Sequence, residues 1–163
     1  MASIDFKNAV VKIKDGTSPT PNEIEVALGE GNLTYSEKRN IIYDKDRGKL
    51  GTTRLGDEEP VEVSLNARWE AITAVTGDPP TIEDALKQRG EAAGWVTTSD
   101  DACEPYCVDI EFTYTPLCDD EPLEVITLPF FRQTNINHDP KTAMLDISGA
   151  CNVTEATVER VPR

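Results

Sequence analysis

One histidine, four cysteines and thirty carboxylates are the residues from which any chemistry in this chain would have to be built. His138 sits in Asn135-Ile136-Asn137-His138-Asp139-Pro140 and would have to serve a serine triad or an imidazole-rich metal site alone. Asx-rich sequence before proline is turn chemistry, so His138 is read as a turn residue. Cys103 and Cys107 are separated by three residues, Cys118 follows after ten more, and Cys151 lies far downstream. Four thiolates suit tetrahedral zinc, but this is not the spacing of paired C-x-x-C knuckles. Free thiols are the favoured reading. One or two disulfides formed outside the cell are the alternative, with Cys103–Cys118 one pairing that sequence does not select. Carboxylate pairs are abundant because acids are, and no spacing marks one as general acid and base. Phosphate-loop, dinucleotide, H-E-x-x-H and EF-hand motifs are all missing, so the sequence predicts neither an enzyme nor a cofactor.

The charge balance narrows the partners. In 163 residues, 30 acids face 16 Lys and Arg, for a formal charge of −14, with 38% hydrophobic residues. That is enough for one compact domain, 1–163, and it repels phosphate at long range. No stretch is read as a compensating basic patch, which excludes a conventional DNA-binding module. Charges at Asp5, Lys7, Lys12, Lys14 and Asp15 break up the first sixteen residues, and no run approaches the ~18 apolar residues of a membrane span. Synthesis in the cytoplasm, with reduced cysteines, is the expectation.

The elements that would carry such a surface are mostly strands. Val61, Val63, Leu65, Ala67, Trp69 and Ala71 alternate with Glu62, Ser64, Asn66, Arg68 and Glu70, a period of two across residues 61–71. Further β-rich runs cover 9–14, 23–28, 40–43, 107–115, 123–128, 143–148 and 153–161, separated by Gly, Pro, Asn or Asp. An antiparallel β-sandwich or barrel is the predicted class. One short flanking helix follows Pro79-Pro80, with Thr81 as cap, Glu83 and Asp84 in its first turn, and Lys87, Arg89 and Gly90 at its end. Ile82, Ala85, Leu86, Ala92 and Ala93 are its expected buried stripe. Residues 36–60 are dense in charge and glycine and are read as a projecting loop or hairpin.

Taken in order, several segments resemble the major tail tube proteins of long-tailed, siphovirus-like bacteriophages. They are Gly29-Glu30-Gly31-Asn32-Leu33-Thr34-Tyr35-Ser36-Glu37-Lys38, Asp46-Arg47-Gly48-Lys49-Leu50 and Gly56-Asp57-Glu58-Glu59-Pro60-Val61-Glu62-Val63-Ser64. The likeness continues through Ile82-Glu83-Asp84-Ala85-Leu86-Lys87-Gln88-Arg89-Gly90, Cys103-Glu104-Pro105-Tyr106, Val108-Asp109-Ile110 and Gly149-Ala150-Cys151-Asn152-Val153-Thr154.

The resemblance implies hexameric rings that stack into a hollow tube, with tape-measure and tail-tip proteins as partners and the genome passing through the bore during ejection. It places the mature protein in the virion tail, made in the host bacterial cytoplasm, with no membrane partner. Polar positions of the long strands, Glu62, Ser64, Asn66, Glu70, Asp109 and Glu111, are the lumen candidates, and an acidic bore would let DNA slide without sticking. Lys38, Arg39, Asp46, Arg47, Lys49, Arg54, Asp57 and Glu58 are the candidates for contacts between subunits, with the arm 1–9 a second choice. The rival readings are a capsid decoration or tail-terminator protein, and an adhesin or carbohydrate-binding β-sandwich using Trp69, Trp95, Tyr106 and Tyr114 as stacking faces.

Overall fold

The computed structural model describes residues 5–29, 31–69 and 79–163. Among these residues, ten strands and one α-helix follow in the order β1 (Ala9–Lys14), β2 (Glu23–Glu25), β3 (Leu33–Ser36), β4 (Ile41–Asp46), β5 (Lys49–Leu55), β6 (Val61–Arg68), α1 (Ile82–Lys87), β7 (Val108–Tyr114), β8 (Leu123–Asp139), β9 (Met144–Cys151) and β10 (Thr157–Val161). Eight strands form one antiparallel sheet in the order β2-β1-β7-β8-β9-β6-β3, with β10 also on β8; β4 and β5 pair as a separate hairpin.

One strand holds this sandwich together. Up to Leu128, β8 pairs with β7 and β10; Phe131 faces Val108 of β7 and Cys151 of β9, and beyond it β8 pairs with β9 alone among the described strands. The change of partners falls at Pro129-Phe130, where the register against β7 slips between Val108 and Ile110 and Phe130 takes a positive φ of 56°. Proline has no N–H to give a ladder, so a bulge is where a strand accepts it. The N–H of Phe130 donates instead to the Asp109 carboxylate at 3.1 Å. Two leaves result, β2-β1-β7-β8-β10 and β8-β9-β6-β3, which share β8.

Alternation then fills the space between the leaves. Val61, Val63, Leu65 and Ala67 of β6 are buried with Leu145, Ile147 and Cys151 of β9, facing Val11, Ile13, Val108, Ile110, Ile126 and Leu128 of the other leaf. Each large side chain removed from water there is worth about 1.5–3 kcal/mol. Helix α1 starts as its sequence predicts: the Thr81 hydroxyl accepts from the Asp84 N–H at 3.3 Å. Ile82, Ala85, Leu86 and Ala92 are buried, but Ala93 is exposed, and the helix closes on Gln88 in the left-handed region rather than on Gly90.

Three sequence expectations need correction. The long strand is β8, not β6: the ladder of β6 ends at Arg68, Trp69 donates its N–H to the Ala143 carbonyl, and Glu70 and Ala71 lie outside the described residues. His138 is not in a turn but near the end of β8, opposite Leu145; the turn begins at Asp139, whose carboxylate accepts from the Lys141 N–H at 3.1 Å. Strand β10 starts at Thr157 rather than at 153.

Candidate functional site

The outer face of the β3-β6-β9-β8 leaf is laid out by register. Thr34, Ser64, Ser148 and Asn135 form one row across four strands; Ser36, Glu62, Ala150 and Arg132 form the next; Asn66, Asp146 and Asn137 lie on the other side, and Arg68, Met144 and Asp139 beyond. Short uncharged polar groups dominate this surface, with three acids (Glu62, Asp146, Asp139) against two arginines. A shallow hollow of about 540 Å³ runs over Thr34, Ser36, Glu62, Ser64, Thr134 and Ser148. Few cations project freely from it: Arg132 bonds the Glu104 carboxylate at 3.0 Å and the Pro105 carbonyl at 3.0 Å. Glu62 is ion-paired with Lys38 at 2.9 Å, and that carboxylate raises the pKa of the lysine.

The lumen candidates therefore divide. Glu62, Ser64 and Asn66 share this face. Asp109 and Glu111 lie on β7, in the other leaf, and have local partners: Asp109 satisfies the bulge at Phe130, and Glu111 pairs with Lys14 at 2.7 Å beside the Lys12–Glu23 pair. Burial pushes the Asp109 carboxyl upward, against the opposing hydrogen bonds from Phe130 and Thr98. Glu70 lies outside the described residues. The sequence pattern gave all six as polar positions on strands, but which leaf each strand joins depends on pairings between distant segments.

Both borders of this leaf are open. β3 pairs only with β6, and beyond Phe131 the far side of β8 meets no strand among the described residues. On the other leaf β10 is a border strand with all five residues exposed. Unpaired strand borders invite addition of another chain.

Segment 36–60 is largely a hairpin. Among the described residues β4 and β5 pair with each other and with no other strand, and nearly every residue is exposed. Arg47 and Gly48 turn the chain with φ of 51° and 80°, the two positive values a tight hairpin loop requires. Asp46 and Lys49 face each other beside the turn, and Arg54 pairs with Asp44 at 3.6 Å. Lys38 and Arg39 precede the hairpin, while Asp57 and Glu58 follow it; all four line a hollow of about 430 Å³ at its base. Between 38 and 55 there are six cations and two acids, a surplus of four positive charges, so the remainder of the −14 chain carries −18.

The other residues singled out by type have structural tasks. His138 packs edge-on to Trp69 at 5.1 Å and bonds Glu83 at 3.0 Å, tying the end of β8 to α1. Trp95 is buried, and the Tyr106 hydroxyl donates to the Ala85 carbonyl at 2.9 Å, so neither offers a sugar platform. All four cysteines are free thiols: Cys103 and Cys118 exposed, Cys107 and Cys151 buried. Burial raises the Cys151 pKa to about 12. Among the described residues, no group of three or more His, Cys, Asp and Glu is placed to hold a metal ion.

No protein-family model matches the sequence, and no curated protein matches it. Solved structures do. An extracellular contractile injection system's PVC sheath/tube terminator in its extended state superposes with a TM-score of 0.56 at 13% identity, over 98% of each chain. The cap of the anti-feeding prophage, an AFP tube terminating cap, gives 0.52 at 10% identity over 99% of this chain and 93% of that one. The PVC sheath-tube complex in its extended state gives 0.54 at 12% identity, over 98% and 93%. The likeness is one of fold. It spans both leaves, since nearly the whole chain is covered.

Proposed function

We propose that this chain is a non-enzymatic structural subunit of a phage-like tail, built as hexameric rings that stack into a hollow tube through which DNA passes during ejection. The observation that carries this reading is a four-stranded leaf with two open borders and an outer face of short polar side chains. Addition of β3 of one copy to the free side of β8 of the next satisfies the backbone groups of both and repeats until the ring closes. The polar face then lines the bore. Phosphate slides there because the face offers threonine, serine and asparagine with a slight excess of acid, and Arg132 is held by Glu104; the bore is weakly anionic rather than strongly acidic. Tape-measure and tail-tip proteins are the further partners of such a subunit, and the virion tail is its location.

A second reading is favoured by the neighbours themselves, two of which are a tube terminator and a terminating cap. A subunit of that kind closes a ring and stops. Negative-stain electron microscopy of concentrated protein decides: hollow tubes support the first reading, single closed rings the second, and isolated protomers at every concentration remove both. Within the tube reading, Glu62→Lys is expected to slow DNA release from those particles that assemble by roughly tenfold, since it changes the bore by two charge units per copy. Release at the normal rate would take Glu62 out of the bore.

A further inference from the structure

We propose that the hairpin binds a second copy of this chain, its cationic tip seating in the acidic hollow at the base of the neighbour's hairpin; this rests on the assembly reading above and names the surfaces that join. Among the described residues the β4–β5 hairpin pairs with no other strand, yet it exposes large apolar side chains: Ile41 and Leu55 face each other across the strands, with Tyr43 (57% exposed) next to them and Leu50 (73%) beside the tip. Lys45, Arg47 and Lys49 crowd the turn around a lone acid, Asp46.

The complementary surface is on the same molecule. The hollow of about 430 Å³ is lined by Glu37, Asp57, Glu58, Glu59 and Glu155, with Lys38 and Arg39 as the cations among the described residues lining it and Leu55 as an exposed apolar floor. Lys38 is already engaged by Glu62, so the local excess of acid is real. Seven residues of β5 at ~3.3 Å each hold the tip roughly 20 Å from its own hollow, so tip and hollow meet only between copies. The contact is heterologous: each copy uses its tip on one neighbour and its hollow on another, and the chain of contacts continues until symmetry closes it. Charge then fixes register and speeds encounter, while Leu50 against Leu55 supplies apolar burial.

The test uses the full chain and two charge-reversed variants at exposed positions, tip (Lys45→Glu, Arg47→Glu, Lys49→Glu) and hollow (Glu58→Lys, Glu59→Lys, Glu155→Lys). Circular dichroism melts confirm folding, while sedimentation velocity at 50 and 300 mM salt and negative-stain microscopy read assembly. Each variant alone is expected to lose assembly beyond the single ring by at least tenfold. An equimolar mixture restores it, because the reversed tip fits the reversed hollow and the native tip fits the native hollow. Restored assembly should weaken with salt. Wild-type assembly by the tip variant, or no recovery in a mixture of folded variants, overturns the docking. So does loss of assembly without rescue when wild type, but not the tip variant, is retained on a DNA oligonucleotide, which would make the tip a nucleic-acid contact. Tubes formed by wild type and tip variant alike sink the docking and leave the tube reading standing. Rescue of solid fibres without a lumen does the reverse.

Discussion

Phe131→Ala is expected to cost about 3–5 kcal/mol, read as a lower denaturant midpoint with an unchanged slope. Phe131 is 1% exposed and occupies the point where β8 changes partners, opposite Val108 on one side and Cys151 on the other. Its ring fills the space left by Gly149: a Cβ there would lie 2.7 Å from the ring and 2.2 Å from the Arg132 carbonyl oxygen. Both leaves converge on this residue, so neither collapses into the void without pulling on the other, and the cost belongs at the upper end of the range. A loss under 1 kcal/mol would show that the leaves pack independently of the junction.

Asp15→Ala is the second severe change, at about 2–4 kcal/mol. Asp15 is 4% exposed and accepts from the Thr17 N–H and hydroxyl at 3.1 and 2.7 Å, the Asn22 N–H and amide at 2.7 and 2.8 Å, and the Val96 N–H at 3.2 Å. It binds the loop after β1 to the segment that leads into β7. Burial alone would raise its pKa; the hydrogen bonds from Thr17, Asn22 and Val96 outweigh that and hold it below the ordinary aspartate value. A depressed carboxylate stabilises the fold above its unfolded pKa, and that contribution disappears as pH falls through the folded value. Wild type should therefore lose stability below about pH 4, while the alanine variant, already lacking the contribution, should show a flatter acid limb in urea titrations at pH 2–7. Parallel limbs would mean the carboxylate is not what the loop depends on.

Local signals in the sequence located the parts that depend on local physics. Residues 9–14 are strand β1 to the residue, the alternation at Val61, Val63, Leu65 and Ala67 is buried on one face, and Thr81 caps α1. The failures are where distant segments decide. Pro129, Asn135 and Asn137 read as breaks, yet β8 runs through them because β7 supplies a carboxylate at the bulge and β9 supplies a ladder beyond it. Glu62 and Glu111 look equivalent as polar strand positions, and only pairing puts one on an open face and the other against Lys14. The charge of segment 36–60 looked mixed when taken as a whole; its sorting into a cationic tip and an acidic base appears once the two strands fold back on each other.

The shared strand has a mechanical corollary. Because β8 belongs to both leaves, a load applied across the sandwich passes from one leaf to the other through covalent backbone and not only across a seam of packed side chains. The two leaves cannot shear past one another without disturbing the bulge at Pro129-Phe130, where the strand changes partners.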